Sequence, residues 1–366
     1  MRATILALAL ATAAQAQWTI QTPTTADLRG IDNVGKGIAW ASGTNGTVLR
    51  TEDAGYLWQR CTIPPNAEHL DFRGIQAFDA NTAIVMSSGP GDQSRLYKTT
   101  DGCQTWTLLF TNPDKEGFWD ALFLVRDFDE VFILGDPVDG KFRLFSALMG
   151  EDLKDPPNFS DDWNGHAITA IKGQAAFAAS NSLFVESVDD GLFSFITGGA
   201  KSEVIHEEHG LDQKKGAFSE WSRSPLPFAH GESSGAFSIA AAPYDKKTNT
   251  RHVVVVGGDY LHPDSREQTA AISSDWGSTF ALATTPPHGY RSAVAYDPTT
   301  KTWITVGPNG TDISTDDGRN WRPLHPTNND APDADQHWNA LSLPYAVGPH
   351  GRIGILNPSA LQPTKP

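Results

Sequence analysis

The chain has 366 residues and a formal charge of −15, from 28 basic and 43 acidic side chains. A chain this acidic is a poor general nucleic-acid binder, because phosphate recognition rests on lysine and arginine. Plentiful glycine and proline, frequent tryptophan and the lack of a long helical period favour many short strands, hence an all-β protein.

The first sixteen residues read as a secretory signal. Arg2 supplies the charged start, Ile5 to Ala14 the apolar run, and Ala14-Gln15-Ala16 a small-x-small cleavage site. The run is too short to span a bilayer, and no later stretch approaches membrane length. The expectation is a mature chain from Gln17 onward, periplasmic or extracellular, with no membrane span. Residues 17–366 are expected to form one domain and a monomer.

From Leu28 onward the chain repeats. Short apolar runs end in a glycine turn at Ala39–Gly43, Val85–Gly89, Phe132–Gly135, Phe195–Gly198, Val254–Gly257, Ile304–Gly307 and Tyr345–Gly348. Each follows an apolar strand, starting near Leu28, Phe72, Phe118, Ala175, Ala236, Tyr290 and Trp338. Steps of roughly 45–60 residues with short strands indicate propeller blades. The predicted fold is a seven-bladed β-propeller. Each blade holds an inner strand, a second strand, the glycine turn, a third strand, a corner and an outer strand. The seventh blade runs out after Arg352–Leu356, so Trp18–Gln21 is expected to supply its outer strand and close the ring, which removes unpaired edges.

The corners follow the formula S/T-x-D-x-G-x-x-W. Thr51–Trp58 and Ser314–Trp321 are full copies; Thr99–Trp106 has Cys103 in the glycine place, and Ser273–Phe280 ends on Phe280. In such a stretch the hydroxyl and the carboxylate bond nearby backbone N–H groups, glycine takes a positive φ, and the ring folds back over the turn. These are the residues of an Asp box, as in sialidases and many other propellers, and they brace a blade without implying chemistry. The corners of blades three and four are degenerate, at Ser146–Lys154 and His206–Trp221. Ser187–Gly191 reads as a turn between the first two strands of blade four. The only cysteines, Cys61 and Cys103, fall on the outer strand of one blade and the corner of the next; the sequence leaves open a bridge or two thiols.

Leu28-Arg-Gly-Ile31, Ala39–Gly43 and Val48–Thr51 resemble the opening blade of the photosystem II stability/assembly factor family. Gly135-Asp-Pro-Val-Asp-Gly-Lys141, Gly257-Gly-Asp-Tyr260 and Tyr290-Arg-Ser292 are similar to its exported bacterial branch. The resemblance covers most of Gln17 to Leu324. It implies a binding or assembly role in which the propeller docks a protein or peptide segment. A non-enzymatic module is the favoured reading, and no cofactor is expected, since the chain has no G-x-G-x-x-G and no Walker lysine.

Inner-strand starts and glycine turns share one end of a propeller channel. That places Arg29, Arg73, Trp119, Asp120, Arg291 and Asn339 on one rim, with Asp136, Asp259, Tyr260 and His262 from the turns. Such a mixture suits a carboxylate-bearing partner, a sugar or a peptide; the plainer reading is ordinary inter-blade bonding. The long turn from Gly257 to Gln268, beside Arg291, is singled out as a grip on an acidic segment. The alternative function is a sialidase-like or other glycoside hydrolase, with Arg29, Arg73 and Arg291 as the arginine cluster and Asp136 or Asp259 as acid. No metal site is expected: Asn112–Gly117 begins like a calcium loop but has Phe123 where the last ligand belongs. Gly231-Glu-Ser-Ser-Gly235 lacks the helix a nucleophile elbow needs. His206-Glu-Glu-His209 has the wrong spacing for a zinc protease.

Overall fold

The computed structural model describes residues 17–126, 129–149, 159, 167–186, 192–208 and 221–361. The secretory segment, Ser187–Gly191 and most of the degenerate corners of blades three and four lie outside these residues, as does His209 of the His206 motif. Antiparallel sheets are arranged as seven blades in a ring.

Blade one pairs Leu28–Gly35, Ile38–Gly43, Val48–Thr51 and Gln59–Arg60 in that order; blade two follows with Phe72–Ala77, Ala83–Ser87, Arg95–Thr99 and Thr107–Thr111. Second strands such as Ala83–Ser87 and Thr302–Gly307 are buried along their whole length. Both their faces meet neighbouring blades, which is why they lack the apolar–polar alternation of a half-exposed strand. The core is accordingly distributed between blades. Leu28, Ala41, Leu49 and Trp58 of blade one pack on Ala340, Tyr345 and Val347 of blade seven, and Ala293 and Ile304 of blade six on Trp338 and Ala346.

The ring closes as expected. Trp18–Gln21 lies antiparallel on Ile353–Leu356, Trp18 opposite Leu356 and Gln21 opposite Ile353. The Asp330 carboxylate accepts the N–H groups of Gln17 and Trp18, at 2.8 and 3.2 Å. Trp18 also packs on Trp338, ring centroids 5.0 Å apart.

Four corners share one hydrogen-bond pattern. In blade one, Thr51 Oγ1 donates to Asp53 Oδ1 at 2.8 Å and accepts the Gly55 N–H at 3.0 Å, while Asp53 Oδ1 accepts the Leu57 N–H at 2.9 Å. Blades two, five and six repeat it around Asp101, Asp275 and Asp316. The fourth and fifth residues of each corner both take positive φ: Ala54 at 62° and Gly55 at 85°, Gly102 at 69° and Cys103 at 63°. Cys103 therefore stands in a conformation that disfavours a side chain, and its sulfur is bonded to Cys61, Cα atoms 5.2 Å apart. Each corner leans on the preceding blade, as where Trp58 meets Tyr345 edge-on at 5.7 Å.

Blade four differs from expectation. Its inner strand is Phe184–Glu186, followed by Phe193–Ile196, Glu203–Glu207 and Trp221–Pro225. Ala175 belongs instead to a two-residue strand, Gln174–Ala175, paired with Gly198–Gly199 beside blade five. The chain from there to Ser182 crosses the channel. Arg73 of blade two donates to the Ala178 carbonyl, Leu122 of blade three donates to Asn181 Oδ1, and Ser180 Oγ donates to the Ser292 carbonyl of blade six. Ser182 Oγ meets Ser238 Oγ of blade five at 2.7 Å.

Candidate functional site

The inner strands of four blades carry a bulge at the same place. Leu28 pairs with Gly43 and Gly30 with Ser42, so Arg29 is skipped. Arg73, Asp120 and Phe237 are skipped in the same way in blades two, three and five. In blades one, six and seven, Leu28, Arg291 and Trp338 each donate their N–H to the glycine ending the second strand of the preceding blade. The residues that follow them, Arg29, Ser292 and Asn339, therefore hold the bulge position. A bulge re-aims a side chain, and all six line one cavity of about 630 Å³ at the mouth of the channel.

A small residue follows every one of the six: Gly30, Gly74, Ala121, Ser238, Ala293 and Ala340. Crowding around the axis requires it. A Cβ on Gly30 would stand 2.6 Å from Ser42 Oγ and 3.0 Å from the Arg73 carbonyl oxygen.

The crossing segment supplies the floor of the cavity through Ala175–Ala179. Its Phe177 ring lies flat on Phe237 at 4.1 Å, with Tyr260 edge-on to both and Tyr290 edge-on to Phe237 at 4.8 Å. These rings form an apolar wall on the side of blades five and six.

Blades one to three supply the charge. Arg73 Nε donates to Asp71 Oδ2 at 2.8 Å and Nη1 to the Ala178 carbonyl at 3.1 Å. Arg29 makes no ion pair among the described residues, and its Nε is buried with no hydrogen-bond partner. Burial pushes the Asp120 carboxyl well above the usual carboxylate range; Asp136 pushes the same way and Arg73 pulls back. Burial also raises Asp136 to about 6, against the Ala176 N–H that bonds its Oδ1 at 3.0 Å.

Six of the ten expected rim residues line the cavity: Arg29, Arg73, Asp120, Asp136, Tyr260 and Asn339. The other four do not. Trp119 is fully buried and stacks on Phe110 between blades two and three. Arg291 is also fully buried. Its Nε donates to Asp312 Oδ2 at 2.9 Å, its Nη1 to the Tyr290 carbonyl and Asn309 Oδ1, and its Nη2 to Asp312. It holds the position of Leu28 rather than of Arg29, and a one-residue step along a strand turns a side chain to the other face. Asp259 is spent on its own turn. Burial alone would raise it, but hydrogen bonds from Ser233, His262 and the Leu261 N–H hold it down at about 2. His262 is the largely exposed partner in that bond. The long turn braces blade six, since the Pro263 carbonyl accepts the Tyr290 N–H at 2.9 Å and Asn309 Nδ2 at 2.8 Å.

Sequence reading missed Phe177, Phe237, Glu232 and Trp338, which also line the cavity. The small residue after each bulge is the signal that locates Phe237. Phe177 carries none, because it belongs to no blade. Among the described residues, no group of three or more His, Cys, Asp or Glu side chains is placed to hold a metal ion, and no helix is long and apolar enough to cross a membrane.

Ring and cavity define a seven-bladed β-propeller with a concave, mixed-charge site at one mouth of its channel. Among solved structures it is similar to YCF48 bound to D1 peptide, with a TM-score of 0.60 and 16% identity over 94% of this chain and 98% of that one. It is also similar to YCF48 from Cyanidioschyzon merolae, with a TM-score of 0.56 and 17% identity over 94% of this chain and 100% of that one. The resemblance to the photosystem II assembly-factor propellers thus holds at the level of the fold. No protein-family model matches the sequence, and a search of curated proteins returns no match.

Proposed function

We propose that the chain is an exported, monomeric binding module without catalytic activity, whose cavity takes a segment of a protein or peptide. The observation that carries this reading is Arg29. It lines the cavity with no ion-pair partner among the described residues, in company with a wall of aromatic rings. A planar fork of unspent donors beside apolar area suits a carboxylate on a chain that also buries side chains. The similar propeller solved with a D1 peptide supports a peptide as the occupant. The residues of the secretory segment support action outside the cytoplasm.

The test is capture. Immobilised wild-type protein should retain a defined partner from the exported fraction of its native cells, and Arg29→Ala should lose it with an unchanged melting temperature. Asp259→Asn, whose carboxylate bonds its own turn and does not line the cavity, should keep it. Equal capture by wild type and Arg29→Ala would place the site elsewhere.

A second reading, a glycoside hydrolase, draws on one observation. Asp120 and Asp136 share the cavity, one carboxyl held well up by burial and the other at about 6, and unlike carboxyls are what glycoside hydrolysis uses. The arginine cluster of sialidase chemistry does not assemble, since Arg291 is sealed on Asp312 and Arg73 is spent on Asp71. Release of methylumbelliferone from fluorogenic glycosides, abolished by Asp136→Asn, would favour this reading; silence across a broad panel removes it.

A further inference from the structure

One end of the cavity holds a buried carboxyl with one oxygen left unsatisfied among the described residues. Asp120 is only 2% exposed, lines the cavity, and has no hydrogen-bond partner at Oδ2. A buried carboxyl oxygen without a donor is costly and asks for one. Asp136 stands at the same end with Oδ1 already taken by the Ala176 N–H.

Charge across the cavity is unequal. Asp120, Asp136 and Glu232 line it together with Arg29 and Arg73. Arg73 is already matched by Asp71. That leaves three carboxyl groups against the one uncommitted guanidinium of Arg29. Carboxyl groups thus outnumber free guanidinium groups at the cavity, and Asp120 keeps one buried oxygen, Oδ2, that a bound donor would satisfy.

We infer that the segment bound in the cavity presents a basic side chain, a lysine ammonium or an arginine guanidinium, to Asp120 and Asp136, while its acidic group lies toward Arg29. The inference rests on the reading of the cavity as a peptide site and makes the occupant dipolar rather than simply acidic. Phe177, Phe237 and Tyr260 offer the apolar stem of such a side chain a surface to lie on. A cation favours the ionised form of a carboxyl. Since burial raises Asp120 and Asp136, arrival of the basic group expels a proton, and affinity rises as the pH climbs from about 5.5 to 8. An occupant bringing only a carboxylate takes up a proton instead, and its affinity falls over that range.

The experiment pans a random peptide library against wild-type protein, Asp120→Asn and Arg29→Gln, each checked by thermal melting. Peptides selected by the wild type should be enriched in lysine or arginine together with an acidic residue. Replacing the basic residue by norleucine should weaken wild-type binding about tenfold or more, the scale of a charge-assisted hydrogen bond, and should scarcely affect binding to Asp120→Asn. Selected peptides that depend on Arg29 yet bind equally well with norleucine would overturn the inference and leave the peptide site standing. Failure of the wild type to select any peptide would overturn the reading of the cavity itself, and the inference with it.

Discussion

Arg291 and Asp312 meet inside the sixth blade, and neither side chain reaches solvent. Around them Asn309 Oδ1, the Tyr290 carbonyl and His288 complete the bonding. Removing one member of such a pair leaves the other charged and buried. Arg291→Ala should cost about 3–5 kcal/mol of folding stability. Urea unfolding checks this; a variant as stable as the wild type would show that the pair contributes nothing.

The corner tryptophans should matter for stability alone. Trp58 and Trp321 are buried, the first against Tyr345 of blade seven and the second against Val254 of blade five. Truncating either to alanine should cost about 3–5 kcal/mol. Partner affinity, measured where the variants remain folded, should stay at the wild-type value. A stable variant that had lost its partner would move the site to the opposite end of the channel.

Asp136 gives stability a pH dependence of known sign. Its folded carboxyl titrates near 6, above its ordinary value, so its contribution is fully present below about pH 4 and is lost as pH rises through 6. Asp136→Asn should flatten the stability profile between pH 4 and 7 by on the order of 2–3 kcal/mol. Asp312 runs the other way. Burial would raise it, but His288 and Arg291 hold it below its ordinary value, so its contribution is lost as pH falls through the acid range. Denaturation series at several pH values separate the two, and an unchanged profile in Asp136→Asn would refute the first.

Deleting residues 18–22 should expose the edge of Ile353–Leu356 and strip Trp338 of its ring partner. Exposed strand edges pair with other chains. Size-exclusion chromatography should show aggregation or the melt a lower midpoint; a monomer of unchanged stability would mean that the closing strand is dispensable.

The ring, its closure and its corners were legible in the sequence because they repeat, and a repeat carries its own phase. The interior of the site was less so. Arg291 lies one residue before the cavity-lining position, although Tyr290-Arg-Ser292 looks like Leu28-Arg-Gly30; alignment on the small residue puts Ser292 beside Arg29. Ala175-Ala-Phe-Ala-Ala179 reads as an inner strand because its apolar run is the right length. Apolar pattern reports burial, not whether a segment pairs within a blade or crosses to other blades. The length and charge of the turn from Gly257 to Gln268 suggest function; Tyr260 reaches the cavity, while the contacts of Asp259, His262 and Pro263 brace the turn and blade six.

The segment that crosses from Gln174 to Ser182 turns the channel into a cul-de-sac. Bonds to blades two, three, five and six hold it across the opening. A chain cannot be threaded through from one face to the other, so whatever enters must leave by the same mouth. That favours a free terminus or the tip of a protruding loop over an uninterrupted extended strand.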